Sequence, residues 1–207
     1  PRRFDPALVI AERQHKLRTA WGLPEGLPII MLPARVTRWK GQMVLVEAMA
    51  RLPGDALALL VGDAEERPAF KADLLARIAS HALQDRVRLV GHANDMPAAL
   101  MLADVVIHAS TDAEAFGRTV IEAQAMARPV IASDLGAPRE TVAEGITGWR
   151  IPPGDAAALA DAIGKALALP PAESAALGAR ARAAVLSGYT TEAMQAATIA
   201  VYRELLG

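Results

Sequence analysis

The sequence predicts an α/β fold built on a doubly wound parallel sheet, and three observations carry that expectation. Five apolar runs of strand length, 29–34, 57–62, 86–91, 104–109 and 129–133, alternate with stretches long enough for helices. The runs are apolar at consecutive positions, as strands must be when helices cover both faces of a sheet. After Pro152-Pro153-Gly154-Asp155 the chain reads as helix almost to its end. With a weaker sixth strand at 148–151, the pattern is a Rossmann-like six-stranded parallel sheet with helices on both faces and a helical C-terminal tail.

Asp5-Pro6 reads as an N-cap followed by proline at the first helical position, opening a helix that runs to about Gly22. The first strand, 29–34, leads through a charged loop into a helix at 42–52. Strand 57–62 and a helix at 68–82 follow, then strand 86–91 and a helix at 96–103. Strand 104–109 is followed by an acidic loop and a helix at 117–127. Strands 129–133 and 148–151 complete the sheet, and helices at 156–169, 171–187 and 191–206 complete the chain. No internal repeat is visible, and the alanine-rich stretch 179–184 fits closely packed helix. The whole length, 1–207, is expected to form one domain.

Composition narrows the function. Of the 207 residues 53% are hydrophobic and only 4% aromatic, so the core must be built from Ala, Leu, Val, Ile and Met. The 22 Lys and Arg nearly cancel the 23 Asp and Glu, and no basic block argues for nucleic acid. There is no cysteine, which excludes disulfides and thiolate metal sites. No apolar run reaches the ~20 residues needed to cross a bilayer. The chain begins Pro1-Arg2-Arg3-Phe4 without an initiator methionine, so an upstream portion is expected.

Ligands of doubly wound sheets bind beyond the carboxyl ends of the strands, where the strand order reverses. With the common order 3-2-1-4-5-6, the reversal falls between strands 1 and 4. The loops leaving those two strands are the most distinctive in the sequence. The first runs Arg35-Val-Thr-Arg38-Trp-Lys40-Gly41. Its Arg forks and Lys point charge suit a diphosphate, and Gly41 lets backbone approach a ligand. Ordinary solvated charges are the competing reading of Arg35, Arg38 and Lys40. The second runs Asp112-Ala-Glu114-Ala-Phe116-Gly117-Arg118-Thr119-Val-Ile-Glu122. A helix starting near Phe116 would point the N–H groups of Phe116, Gly117, Arg118 and Thr119 into the crevice, a natural anion site. Glu114 and Glu122 could accept hydroxyls at two places on one long ligand, or could be a dipole-stabilising acid and a solvated one.

Other signals are missing. Strand 1 lacks a Gly-x-Gly-x-x-Gly turn, and no Walker loop or Gly-x-Ser-x-Gly elbow occurs. His15, His81, His92 and His108 show no metal-ligand spacing. His15 and His81 read as surface or packing residues. His108 is either a satisfied core histidine or a lining residue, and His92, after Gly91, could border a base through its backbone.

These elements together resemble the donor-binding C-terminal domain of retaining glycosyltransferase family four, also called group 1, of the GT-B fold. Glu114-Ala-Phe-Gly-Arg-Thr-Val-Ile-Glu122 is similar to that family's Glu-x7-Glu motif and continues into Ala-Gln-Ala-Met-Ala-Arg-Pro129-Val-Ile-Ala. Arg35, Lys40 and Gly41 match its Arg-x4-Lys-Gly element, and Arg139-Glu140, Gly145 to Gly148, and Pro153-Gly154-Asp155 follow its pattern. Phe4-Asp5-Pro6 looks like the segment after the interdomain linker. Arg118, Arg128 and Leu135-Gly136-Ala-Pro138 depart from the pattern. Arg118 could add a donor near sugar or phosphate, and Arg128 is expected on the surface.

The resemblance implies roles. Arg35, Lys40 and Glu114 would be the catalytic groups, the two cations on the donor diphosphate and Glu114 on the donor sugar. Glu122 would bind ribose, with Gly41, Gly91, His92, Phe116, Gly117, Arg118 and Thr119 completing the donor site. No metal or cofactor is implied. A UDP- or GDP-sugar would be the donor, with retention by front-face attack, and the acceptor a glycan or lipid-linked molecule held by an N-terminal domain absent from this chain. Without that domain, nucleotide binding with little transfer is expected. The family likeness further implies a cytoplasmic enzyme of envelope polysaccharide or lipopolysaccharide assembly, with peripheral contact at the inner membrane face. A nucleotide-sugar epimerase and a non-catalytic nucleotide-binding module are the alternatives.

Overall fold

A computed structural model describes residues 3–206. The expectations about the chain start at Pro1-Arg2 and about Gly207 lie outside the described residues. The strands are β1 (Ile29–Pro33), β2 (Leu57–Val61), β3 (Val87–Gly91), β4 (Val105–His108), β5 (Val130–Ser133) and β6 (Trp149–Ile151), in a parallel sheet ordered β3-β2-β1-β4-β5-β6. The order reverses between β1 and β4, as the doubly wound reading requires. Ile30 and Met31 of β1 are in register with Val105 and Val106 of β4.

Strand side chains alternate between faces, and the two cores sort accordingly. Ile30, Leu32, Ala58, Leu60, Val105 and Ile107 face helices α2 (Gln42–Met49), α3 (Pro68–Ser80) and α7 (Ala156–Leu167). Ile29, Met31, Leu57, Leu59, Val106 and Val130 face α4 (Met96–Leu102) and α5 (Arg118–Ala125). Because both faces are covered, β1 and β2 are buried at every position, which is why neither alternates in sequence. Asp95 caps α4 and Asp155 caps α7, each side chain accepting an N–H three residues on.

Three expectations need correction. The helix expected from Asp5 to about Gly22 is broken: Asp5 caps a 3-10 turn at Pro6–Leu8, and Val9 and Ile10 are extended before α1 (Ala11–Ala20). This β-branched pair favours extended backbone, and the Val9 side chain enters the core. The Arg13–Asp95 pair then ties α1 to α4. The helix expected near Phe116 begins at Arg118, because Gly117 takes a left-handed φ of 66°. Arg128 is partly buried, with long bonds to the carbonyls of Met126 and Ala103, and burial lowers its affinity for the proton. A short helix α6 (Pro138–Thr141) stands where no helix was expected.

The tail is helical. In α8 (Pro171–Gly188), Arg182 donates to the carbonyls of Phe4 and Ala125 and pairs with Asp5, clamping the start of the chain onto α5. In α9 (Thr191–Leu206) no residue is buried.

Candidate functional site

The loop leaving β1 is held by its own backbone. Val36 N–H donates to the Asp63 carbonyl beyond β2, and a 3-10 turn at Arg38–Lys40 ends on Gly41. Gly41 has a φ of 81°, and a Cβ there would sit 2.0 Å from the Ala109 carbonyl oxygen. The loop therefore presses against the end of β4 at a point only glycine can occupy. Fully buried Gln42 donates to the Arg35 carbonyl at 2.9 Å, fixing the loop's first bend.

The loop leaving β4 is tied to the first. Thr111 N–H donates to the Trp39 carbonyl at 2.8 Å. On its other side, Ala137 N–H donates to the Glu114 carbonyl at 3.0 Å, close to Gly136. Gly136 needs a φ of 66° and has no room for a Cβ, which would lie 2.6 Å from that same carbonyl oxygen. The stretch Leu135-Gly136-Ala-Pro138 thus supports the acidic loop from behind.

At the junction Lys40 meets Glu114. The Lys40 ammonium pairs with Glu114 Oε1 while lying 4.0 Å over the Trp39 ring. His108 Nε2 lies 3.0 Å from the same oxygen, and the Ser110 hydroxyl donates to it at 2.9 Å. Burial alone would raise the Glu114 pKa. The bonds from His108, Lys40 and Ser110 outweigh it and bring the carboxyl down to about 2. Glu114 is thus a fixed anion.

Glu122 lies in the second turn of α5 and has the opposite character. Burial pushes its pKa up, and Arg118, bonded to it at 3.1 Å, only partly offsets this. Arg118 is otherwise exposed, so its charge serves Glu122 and stands at the rim. Among the described residues the N–H groups of Phe116, Gly117, Arg118 and Thr119 donate to no carbonyl or side chain. They remain available to an anion.

The structure joins Lys40, Gly41 and Glu114 and sets them beside the start of α5. Arg35 is exposed at the mouth of the first loop. Gly91 and His92 are exposed at the end of β3, two strands from β1, with open space in front of Gly91. Arg38 turns away to pair with Asp73 over the Phe70 ring. Sequence reasoning missed Ser110 and Gln42, and left His108 between a satisfied core histidine and a lining residue. The structure buries it, 5% exposed, with Nε2 on Glu114 and, among the described residues, Nδ1 without a partner. The i, i+2 spacing of His108 and Ser110, one side of an extended strand end, was the available signal.

A cavity of about 850 Å³ lies at the opposite, amino end of the sheet, lined by His15, Arg18, Asp104 and Arg128 among others. It holds none of the paired groups described above. Among the described residues no helix is long and apolar enough to cross a membrane.

Comparison with known proteins agrees with this fold. Residues 13–184 match the family model described as Glycosyl transferases group 1. The chain is 35% identical over 170 residues to a D-inositol 3-phosphate glycosyltransferase of Xylanimonas cellulosilytica, covering 81% of this chain and 40% of that protein. It is 35% identical over 156 residues to a lipopolysaccharide core biosynthesis glycosyltransferase of Rhizobium meliloti, covering 75% and 43%. The chain thus spans about two fifths of these relatives. A solved glycosyltransferase from Rickettsia africae superposes with a TM-score of 0.94 at 35% identity, covering 99% of this chain and 54% of that one. Anabaena HepE, solved in complex with UDP and glucose, superposes at 0.86 with 28% identity, covering 96% and 55%.

Proposed function

The chain belongs to the group 1 glycosyltransferases, and on that premise we propose that it binds a nucleoside-diphosphate sugar for retaining transfer of a hexose. One observation carries the reading: at the reversal of strand order, a cation, a fixed carboxylate and the free N–H groups of a helix start meet in one crevice. A diphosphate needs the first and third, and a sugar needs the second.

Lys40 has three N–H donors, so it can hold Glu114 and a phosphate oxygen together. Arg35, exposed on the same loop, is assigned as a second cation on the diphosphate. Charge that develops on the leaving phosphate as the glycosidic bond breaks would be stabilised by these groups and by the start of α5. Glu114 is assigned to the donor sugar as a hydrogen-bond acceptor. An anion already bonded by three donors is a poor nucleophile, which fits front-face attack with the leaving phosphate taking the acceptor's proton. Glu122 is assigned to the ribose, and Gly91 and His92 to the base. The reading invokes no metal, because side chains and helix N–H groups supply the positive charge.

The acceptor, a glycan or lipid-linked molecule, is assigned to the length of the relatives that this chain does not span. By the same likeness we assign the enzyme to the cytoplasm, in contact with the inner membrane face, and to envelope polysaccharide or lipopolysaccharide assembly. Calorimetric titration with UDP, GDP and ADP tests the donor reading. We expect one nucleotide to bind selectively and Lys40→Ala and Glu122→Ala each to weaken it at least about tenfold. Equal binding of all three, or none, would overturn the assignment.

A further inference from the structure

Three donors converge on a single oxygen of Glu114. Lys40 Nζ, His108 Nε2 and Ser110 Oγ all bond Oε1, and no hydrogen bond among the described residues reaches Oε2. The carboxylate is therefore divided: one oxygen is saturated by protein, and the other is left for a ligand.

The three donors are not alike. Lys40 sits on a loop at the end of a flexible four-carbon stem, and a diphosphate competes directly for its charge. His108 ends β4, a strand paired on both sides, and Ser110 follows two residues on. Both are buried. Among the described residues the His108 ring has one hydrogen-bond partner, an acceptor, and its Nδ1 is buried without a partner. A ring nitrogen facing an ionised carboxylate must carry a proton to bond it, so Nε2 is the donor. The other tautomer would turn a lone pair toward the carboxylate and bury an N–H with no acceptor.

We infer that His108 and Ser110 are positioning residues for the sugar-binding carboxylate: they hold Oε1 so that Oε2 faces the crevice, and they keep it there when Lys40 engages the donor diphosphate. This rests on the donor-site reading above. Nucleotide recognition through Lys40 and Glu122 does not need these two residues, whereas recognition of the attached hexose does.

The test compares a nucleoside diphosphate with its hexose conjugate, UDP against UDP-glucose or the guanosine pair, on this chain. His108→Ala should bind the diphosphate within about twofold of the unmodified chain and the conjugate about tenfold more weakly. His108→Gln, whose amide can donate to the same oxygen, should recover most of that loss. Ser110→Ala, a small change that is less of a threat to folding, should move the conjugate in the same direction by less. Parallel losses for both ligands in both alanine variants would overturn the inference, as would an unchanged conjugate affinity in both. Failure of the donor reading is separately visible, as absence of diphosphate binding by the unmodified chain. In that event imidazole ¹⁵N NMR still decides the positioning. A protonated Nε2 with a bare Nδ1, perturbed by Glu114→Gln, supports it, and the opposite tautomer sinks it.

Discussion

At Gly41 and Gly91 the backbone takes nearly the same left-handed turn, with φ of 81° and 73°, yet the two glycines face different constraints. A Cβ at Gly41 would collide with the Ala109 carbonyl, while at Gly91 it would meet nothing within 4 Å. Gly91→Ala should cost only the backbone strain, about 1–2 kcal/mol. Gly41→Ala should cost more than that, because the two site loops must part; urea melts of the two variants provide the comparison. The two site carboxylates also differ in sign. Glu114 is held near 2 against an ordinary 4.5, so its share of stability is complete above about pH 4.5 and is lost as pH falls toward 2. Glu47 and Asp95 are likewise lowered, chiefly by bonds from Arg77 and Arg13, and they add to acid denaturation. Subtracting the melting curve of Glu114→Gln isolates the Glu114 part, expected on the order of 3 kcal/mol at neutral pH. For Glu122 the folded pKa is raised, so its contribution is complete below the ordinary value and is lost as pH rises. Glu122→Gln should therefore leave stability at pH 7 unchanged or higher while weakening nucleotide binding. A variant that lost both together would contradict the burial argument.

Among the elements, α9 stands apart. Leu205 and Leu206 are 76% and 84% exposed, and Met194, Ile199, Val201 and Tyr202 are exposed as well. No residue of this helix is buried. Ending the chain after Thr190 should shift Tm by no more than about 3 °C, since no core contact is lost. The same truncation should reduce any concentration-dependent association seen by sedimentation, because the exposed apolar side chains go with it. Helix α5 behaves differently. Buried Gln124 donates to the Thr141 carbonyl at 3.0 Å and lies within 3.5 Å of Thr147, joining α5 to the segment before β6. Gln124→Ala should destabilise by roughly 2–3 kcal/mol, as expected when buried polar groups lose their partner.

For the molecule as a whole, the crevice is open at the carboxyl ends of β1 and β4, and every group assigned to the donor comes from this chain. Nucleotide binding with little or no sugar transfer is the expected behaviour, measured by calorimetry beside a radiolabelled transfer assay. Robust transfer by the chain alone would show that the acceptor site is also carried here.

The strand order was legible because apolar runs alternating with helices indicate a doubly wound sheet, for which 3-2-1-4-5-6 is the common order. That the loops of Lys40 and Glu114 would meet was legible because the reversal point selects two loops. Three things were decided only by the tertiary structure. Helix boundaries shifted where Val9 entered the core and where Gly117 took a left-handed turn. Arg128 was drawn inward by the carbonyls around it. Above all, the pairing of Lys40 with Glu114 and the convergence of His108 and Ser110 on one oxygen depend on side-chain directions. Local spacing constrains those directions only weakly, and they become fixed when strands and loops distant in sequence are packed side by side.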